Sequence, residues 1–194
     1  SMKAEHLSCY QLTVEPHTEL FVTQQKKKLP LPDEELALDF FWQTRKRLQQ
    51  AGYEAYEVSN FAQAGKQCRH NRGYWLYDDY IGIGAGAAGK WDLKGGGVLR
   101  YSNIRSPQTY INKAMDFGLA ANSQEILSET EAMGEAIWLG LRQQQGIDTA
   151  WFKKRFNQSI EQNYAVLIDQ WLSRQKLERV QQSIRLTRSE EHTS

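Results

Sequence analysis

The sequence predicts an α/β fold in which strands and one helix come first and several helices follow. Two observations support this prediction. A strand at 6–14, a helix that begins at Asp33 and a second strand at 53–61 come in the order of a βαβ unit, whose strands are parallel. After Asn103 the pattern changes to helices. The length of 194 residues allows one ordinary domain or two small ones, and we expect a boundary between 105 and 125.

The first strand, HLSCYQLTV at 6–14, is rich in residues that favour strands. Residues 18–32 contain two prolines and a lysine run, and they predict a loop with solvated lysines. The helix from Asp33 has acidic residues in its first turn and ends at Gly52. Its apolar stripe comprises Leu36, Phe40, Phe41, Thr44, Leu48 and Ala51.

The middle of the chain has a long connection at 62–79, a length that is often functional, and then a glycine-rich strand at 80–89. A hairpin at 90–103 is expected to turn at its three consecutive glycines. The run GAGAAG matches the glycine pattern of dinucleotide sites, but such sites need a helix directly after the glycines. These glycines therefore indicate a close approach of the backbone to a strand or ligand, and Gly82, Gly84 and Gly86 are candidate ligand neighbours.

The second half predicts four helices and a terminal hairpin. The helix at 128–146 begins with a capping box of Ser128 and Glu131. The other elements are helices at 107–117, 148–156 and 159–174 and a hairpin at 177–187. Three helices before a hairpin are typical of a winged helix, which often binds DNA. The helix at 159–172 carries only Glu161 and Asp169 as charges, so we expect packing or protein contact instead of nucleic-acid binding.

The composition excludes several classes of protein. Hydrophobic residues make up 40% of the chain, charged residues 24%, and the net charge is +1, which are values of a soluble globular protein without a drive toward nucleic acid. No apolar run is long enough to span a bilayer, and the first residues lack the apolar core of a secretory signal. Two cysteines, Cys9 and Cys68, favour a reducing cytoplasm and are too few for an iron–sulfur cluster.

The last seven residues, RSEEHTS at 188–194, are expected to be non-native. They are the translation of a common sequencing-adapter read, AGA TCG GAA GAG CAC ACG TCT. We therefore exclude them from the fold prediction.

The stretch CRHNRGYW at 68–75 is the candidate binding site. The imidazole of His70 could be an axial ligand of haem iron, with Asn71 orienting it. Tyr74 and Trp75 could cover a flat apolar macrocycle. The alternative is an ordinary surface or hydrogen-bonded histidine.

Two arginines and a thiol flank this histidine. Arg69 and Arg72 are candidates to pair with the propionate carboxylates of haem. Cys68 and His70 could also form a metal pair, but the further ligands that such a site needs are missing.

Three segments, LSCYQLTVEPHT, YEVSNFAQAGKQCRHNRGYW and DDYIGIGAGAAG, resemble the radical-SAM haem chaperones of the HemW family, relatives of oxygen-independent coproporphyrinogen III oxidase. The resemblance is ordered and extends over residues 6–187. The family's haem-binding signature, H-N-x-x-Y-W, corresponds here to His70, Asn71, Tyr74 and Trp75.

The resemblance implies a longer protein with an N-terminal partial (β/α) barrel that binds a [4Fe–4S] cluster and S-adenosylmethionine. The family's cluster motif, C-x-x-x-C-x-x-C, does not occur in this sequence. The chain therefore resembles the C-terminal half of the family. Residues 1–105 would form the last barrel strands with the haem-motif loop, and residues 106–187 a helical, winged-helix-like domain. Such a chain has no catalytic residues of its own, and its uncovered strand edges predict aggregation or dimerisation.

The function that the resemblance implies is that of a cytoplasmic haem chaperone, which binds haem and passes it to acceptor proteins. Two alternatives remain open. The longer protein could be a coproporphyrinogen III oxidase that acts by radical decarboxylation in porphyrin biosynthesis, or the chain could be a winged-helix DNA-binding protein. The sequence departs from the family at Ala88, where a histidine is common, and at Ala64, where proline is usual. Ala88 therefore argues against ligation of haem iron by two histidines.

Overall fold

A computed structural model describes residues 4–26, 31–118 and 120–187. The chain falls into two compact units, one within residues 4–68 and the other at Arg69–Thr187. Both are built from helices and small antiparallel sheets. Lys27 and Lys28 of the lysine run and the tail at 188–194 lie outside the described residues.

The first unit contains β1 (His6–Ser8), α1 (Glu19–Gln25), α2 (Glu34–Gln50), β2 (Glu54–Ala55) and β3 (Asn60–Ala62). Its sheet has the order β1-β3-β2, and both pairings are antiparallel. The predicted strand–helix–strand order is therefore present as β1-α2-β2, and these two strands run in the same direction, but the predicted parallel sheet is wrong because β3 lies between them and pairs antiparallel with both. The second predicted strand is broken by a turn, because the buried carboxylate of Glu57 accepts a hydrogen bond from the backbone N–H of Ser59 at 2.9 Å. The turn reverses the chain, so that β3 runs antiparallel to β1.

The helices of this unit follow the capping rules. The predicted loop at 18–32 is wrong over α1, which Thr18 caps by accepting from the backbone N–H of Phe21 at 3.1 Å. The helix at Asp33 is confirmed, since its carboxylate accepts from the backbone N–H of Leu36 at 2.9 Å. The apolar stripe of α2 stays partly open, with Phe40 53% exposed beside a cavity of about 400 Å³.

The second unit begins with α3 (Arg69–Trp75), β4 (Ala88–Asp92), β5 (Val98–Asn103), α4 (Pro107–Phe117) and β6 (Ala121–Leu127). The three strands form an antiparallel sheet in the order β4-β5-β6, and the predicted hairpin at 90–103 is confirmed. The connection at 62–79 contains α3. The predicted glycine-rich strand is mostly wrong, because Gly84 and Gly86 adopt positive φ angles of 105° and 72°, which bend the backbone out of an extended path.

The unit continues with α5 (Glu129–Leu141), β7 (Ile147–Asp148), α6 (Thr149–Phe156), α7 (Ile160–Ser173), β8 (Leu177–Val180) and β9 (Ser183–Leu186). The predicted helices and terminal hairpin are confirmed here, and the sheet order is β7-β9-β8. Phe152 is fully buried at the centre of a core that also includes Phe156, Ile160 and Ile184. Burial of one such aromatic side chain contributes roughly 1.5–3 kcal/mol. Among the helices that the structure describes, none is both long and apolar enough to cross a membrane.

Lys90 of β4 is a buried cation in this unit, with 1% of its side chain exposed. Its ammonium donates to the carbonyl oxygen of Tyr77 at 2.8 Å and to the carboxylates of Asp79 at 3.0 Å and Asp92 at 2.8 Å. It also lies 4.1 Å from the centre of the Tyr77 ring. Arg155 of α6 adds a second cation at 2.7 Å from Asp92. One network of charges therefore joins the end of the α3 segment, the hairpin and α6.

We predict that Lys90→Met lowers the free energy of unfolding by roughly 2–3 kcal/mol. This loss is smaller than the ~3–5 kcal/mol that breaking a fully buried ion pair costs, because the carboxylates of Asp79 and Asp92 reach water. Urea denaturation followed by tryptophan fluorescence would measure this loss. Lys94→Met, an exposed change in the same hairpin, is the matched control and should alter stability little. Equal stabilities of the two variants would contradict the structural role of the network.

A capping box stabilises the start of α5. The Ser128 hydroxyl accepts from the backbone N–H of Glu131, and the Glu131 carboxylate accepts from the backbone N–H of Ser128 at 2.8 Å. These hydrogen bonds from Ser128 lower the pKa of Glu131. Ser128→Ala should cost about 1 kcal/mol of stability.

The contribution of Glu131 to the free energy of unfolding should depend on pH. Because the pKa of Glu131 is lowered by folding, its contribution is present above the ordinary value of 4.5 and is lost as pH falls through the folded-state value. Glu131→Ala should therefore destabilise more than Glu129→Ala at pH 7, and the difference should vanish in acid. Both residues lie in the first helical turn, so the comparison removes the shared effect of the helix dipole. A difference that persists at pH 2 would contradict the prediction.

Candidate functional site

The segment CRHNRGYW contributes a short helix to the second unit. Its residues Arg69–Trp75 form α3. Residues four apart on a helix lie on the same face, so His70 and Tyr74 share one face while Asn71 and Trp75 share the neighbouring face. The four residues of the signature are therefore divided between two faces.

His70 has an exposed imidazole on the first of these faces. Its ring lies edge-on to the ring of Tyr74, with centroids 4.7 Å apart and planes inclined by 74°. Within the part of the chain that the structure describes, neither ring nitrogen has a hydrogen-bond partner. The imidazole is thus free to bind a metal ion, which requires its neutral form.

Tyr74 extends the aromatic contact into a cavity. Its ring lies 4.5 Å from that of Tyr80, again edge-on at 74°. Both tyrosines line a cavity of about 550 Å³, together with Ala88, Arg100 and Trp138. This volume lies within the range of small-molecule sites.

A polar network holds one wall of the cavity in place. The Tyr77 hydroxyl donates to the Glu135 carboxylate at 2.9 Å, and Arg100 donates to the same carboxylate through Nε at 3.2 Å. Arg100 also donates to the hydroxyl of Tyr80 at 2.7 Å. Burial and the hydrogen bond to Glu135 raise the pKa of Tyr77, so Tyr77 remains a donor. Burial alone would lower the pKa of Arg100, but the bond to Glu135 raises it overall, so the wall keeps a charged pair.

Trp75 lies in a different environment from Tyr74. Its ring packs under the guanidinium of Arg142, at 5.0 Å from the ring centre, and its carbonyl oxygen accepts from the Gln143 side chain at 3.1 Å. It lines a separate cavity of about 270 Å³. The structure therefore places the two aromatic residues of the predicted wall beside different cavities, and Trp75 anchors α3 to the end of α5.

The two arginines of α3 differ in their surroundings. Arg69 is exposed, whereas Arg72 is half-buried. Burial raises the pKa of the nearby Asp78 carboxyl, and the positive charges of Lys90 and Arg72 oppose that rise. The charge of Arg72 thus already acts on a carboxylate of the chain.

Among the glycines that follow α3, Gly82 lies where the backbone approaches other atoms closely. A side chain at Gly82 would meet the carbonyl oxygen of Ala88 at 2.3 Å. The backbone N–H of Gly82 donates to the Tyr101 hydroxyl, and that of Gly84 to the Tyr110 hydroxyl. No helix follows Gly86, because β4 begins at Ala88. Gly82 serves close backbone packing, as the sequence predicts, whereas a side chain at Gly84 would meet open space and one at Gly86 only ordinary contacts, so these two positions need glycine for their positive φ angles. A ligand beside Gly82, Gly84 and Gly86 stays a prediction.

Sequence reasoning missed the residues that complete the cavity. Tyr80, Arg100 and Trp138 lie far apart in the sequence, and no short motif joins them. The only local signal is that Tyr80 follows the signature closely. Among the described residues, no group of three or more His, Cys, Asp or Glu side chains could hold a metal ion.

Comparison with known proteins identifies relatives of the chain. Residues 127–190 match the family model described as the HemN C-terminal domain. The chain is 34% identical over 186 residues to the haem chaperone HemW of Lactococcus lactis, covering 96% of the chain and 47% of that protein. It is 40% identical over 146 residues to the mitochondrial radical S-adenosyl methionine domain-containing protein 1 of Bos taurus, covering 74% of the chain and 33% of that protein. The resemblance to the HemW family is confirmed.

A further HemW relative and a solved structure extend this result. HemW of Escherichia coli is 45% identical over 106 residues, covering 55% of the chain and 27% of that protein. The structure described as coproporphyrinogen III oxidase (HemN) from E. coli, a radical-SAM enzyme, superposes with a TM-score of 0.70 at 16% identity, covering 98% of the chain and 46% of that structure. The likeness at this identity shows the fold. The chain spans about half, or less, of the length of the HemW and HemN proteins that it matches.

Proposed function

We propose that this chain forms the haem-binding part of a haem chaperone, which holds haem and passes it to acceptor proteins. The observation that carries the proposal is the exposed imidazole of His70, which has no hydrogen-bond partner among the described residues and packs against Tyr74. Tyr74 in turn lines a cavity of about 550 Å³ whose wall combines aromatic with charged side chains. The relatives named haem chaperone support the same function.

The signature residues have distinct proposed roles. His70 would bind the haem iron, and Tyr74 would give the macrocycle an apolar surface. Asn71 would orient the ligand, and Trp75 would hold α3 in place through its contact with Arg142. A single exposed protein ligand suits a protein that must release its cargo.

We also propose that this chain is part of a longer radical-SAM protein. Its [4Fe–4S] cluster and S-adenosylmethionine would be held by residues outside this sequence, because Cys9 and Cys68 do not form the cluster motif. Residues 1–105 would complete a partial barrel. Residues 106–187 would be winged-helix-like, which the order helix, strand, helix, helix, strand, strand from α5 to β9 supports. A cytoplasmic location, and aggregation or dimerisation of the isolated chain, belong to the same proposal.

The rival function is that of a coproporphyrinogen III oxidase. The structural likeness to HemN favours it, but a likeness at 16% identity supports only the fold. The signature at His70–Trp75 favours the chaperone. Decarboxylation of coproporphyrinogen III by the reconstituted longer protein, unchanged by His70→Ala, would favour the oxidase.

We expect that His70→Ala weakens haem binding by at least roughly 10- to 100-fold. Loss of an outer-shell partner alone weakens a metal site by about that factor, and this variant removes the proposed iron ligand itself. The measurement is a haem titration followed by visible absorption. The unaltered chain should bind saturably with a sharp Soret shift, and the variant should lose or blue-shift that band.

The matched control for this titration is His17→Asn, which removes another exposed imidazole in the first unit. Asparagine suits the positive φ of 68° at this position. The control should bind haem like the unaltered chain. Identical spectra for all three proteins would show that His70 is not the ligand.

Ala88→His should strengthen haem binding and red-shift the Soret band. Ala88 lines the same cavity as Tyr74, so the new imidazole would enter the space in which the macrocycle is expected. Ala85→His, an exposed change in the same glycine-rich segment, is the control. Equal spectra of the two variants would count against a haem position in this cavity.

A further inference from the structure

Arg142 follows the last residue of α5 and lies against two tryptophans. Its guanidinium carbon is 5.0 Å from the ring centre of Trp75 and 5.6 Å from that of Trp138. Such contacts hold a guanidinium in a fixed orientation while leaving its edge available for hydrogen bonds. Arg142 thus joins the signature residue Trp75 to a residue that lines the cavity beside Tyr74.

The guanidinium of Arg142 has no anionic partner among the described residues, and its Nε–H is buried without an acceptor. Four other arginines of the same unit each pair with a carboxylate: Arg100, Arg155, Arg179 and Arg185. The ring faces of Trp75 and Trp138 stabilise this cation, and a ligand carboxylate would add the opposite charge that these rings lack. This arginine therefore has the properties of a site for an anion from outside the chain.

Trp138 connects this cation to the cavity. Its side chain is 60% exposed and forms part of the cavity wall. Its indole therefore offers an accessible aromatic face at the cavity, on which a flat apolar ligand could stack. A ligand that covers Tyr74 and Trp138 would bring its edge to Arg142.

We propose that Arg142 binds a propionate carboxylate of the haem whose macrocycle lies across Tyr74 and Trp138. The proposal rests on haem as the cargo, and it names a carboxylate-binding residue that the signature does not contain. The planar fork of arginine matches a carboxylate with two parallel hydrogen bonds. Arg72 fits the role less well, because its charge already acts on Asp78.

The test compares protoporphyrin IX with its dimethyl ester, which has the same macrocycle but no free carboxylate. Fluorescence titrations would be made with the unaltered chain and with Arg142→Gln. Loss of a hydrogen-bonded charge pair should weaken binding of the free acid by about tenfold more than binding of the ester, because a shift of α3 after loss of the Trp75 contact would affect both ligands alike. Arg174→Gln is the matched control, because Arg174 lies over the ring of Trp171 at 5.8 Å on α7. It should change neither affinity.

Two further measurements separate loss of the carboxylate contact from loss of the fold. Thermal unfolding shows whether Arg142→Gln is folded, and Arg142→Lys, which keeps the charge but loses the planar fork, should bind the free acid with an intermediate affinity. Equal losses for the acid and the ester, no loss for either, or no binding of protoporphyrin IX to the unaltered chain would overturn the proposal.

The iron-free porphyrin separates this inference from the role of His70. An acid-specific loss in Arg142→Gln supports the carboxylate site even if His70→Ala leaves the haem spectrum unchanged. A spectrum that depends on His70, with no acid-specific loss, supports the iron ligand and rejects the carboxylate site.

Discussion

The buried ammonium of Lys90 is the interaction on which the arrangement of the second unit depends. It joins the carbonyl oxygen of Tyr77, just after α3, to Asp79 and to Asp92 in the hairpin. Arg155 then connects Asp92 to α6. Because a buried cation that loses its partners is strongly unfavourable, these segments have one favourable arrangement relative to each other. The position of α3, and with it the candidate haem site, follows from this arrangement.

The two faces of α3 separate anchoring from binding. Trp75 faces the end of α5, where Arg142 and Gln143 hold it. His70 and Tyr74 face outward, and their only ring contacts in the described part of the chain are with each other and with Tyr80. A seven-residue helix is too short to be stable alone, so it needs such an anchored face. The open face can then take up a ligand and release it without unfolding of the helix.

The candidate haem site combines residues inside and outside the segment that matches the HemN C-terminal domain. Tyr74 and Tyr80 lie before the segment that matches the HemN C-terminal domain, whereas Glu135 and Trp138 lie within it. The side chains of α5 therefore complete a cavity that the signature helix begins. In this arrangement the helical C-terminal domain forms part of the proposed haem site and also supports α3.

The sequence alone determined the elements whose signals are local: the capped helices at Asp33 and Ser128, the hairpin at 90–103 and the signature around His70. Only the tertiary structure decided the antiparallel pairing of β1 with β3, because a single carboxylate, Glu57, turns the chain there. It also decided which residues surround the signature. Contacts between residues remote in the chain depend on packing and on shared charges, and neither leaves a periodic or motif-like trace in the sequence.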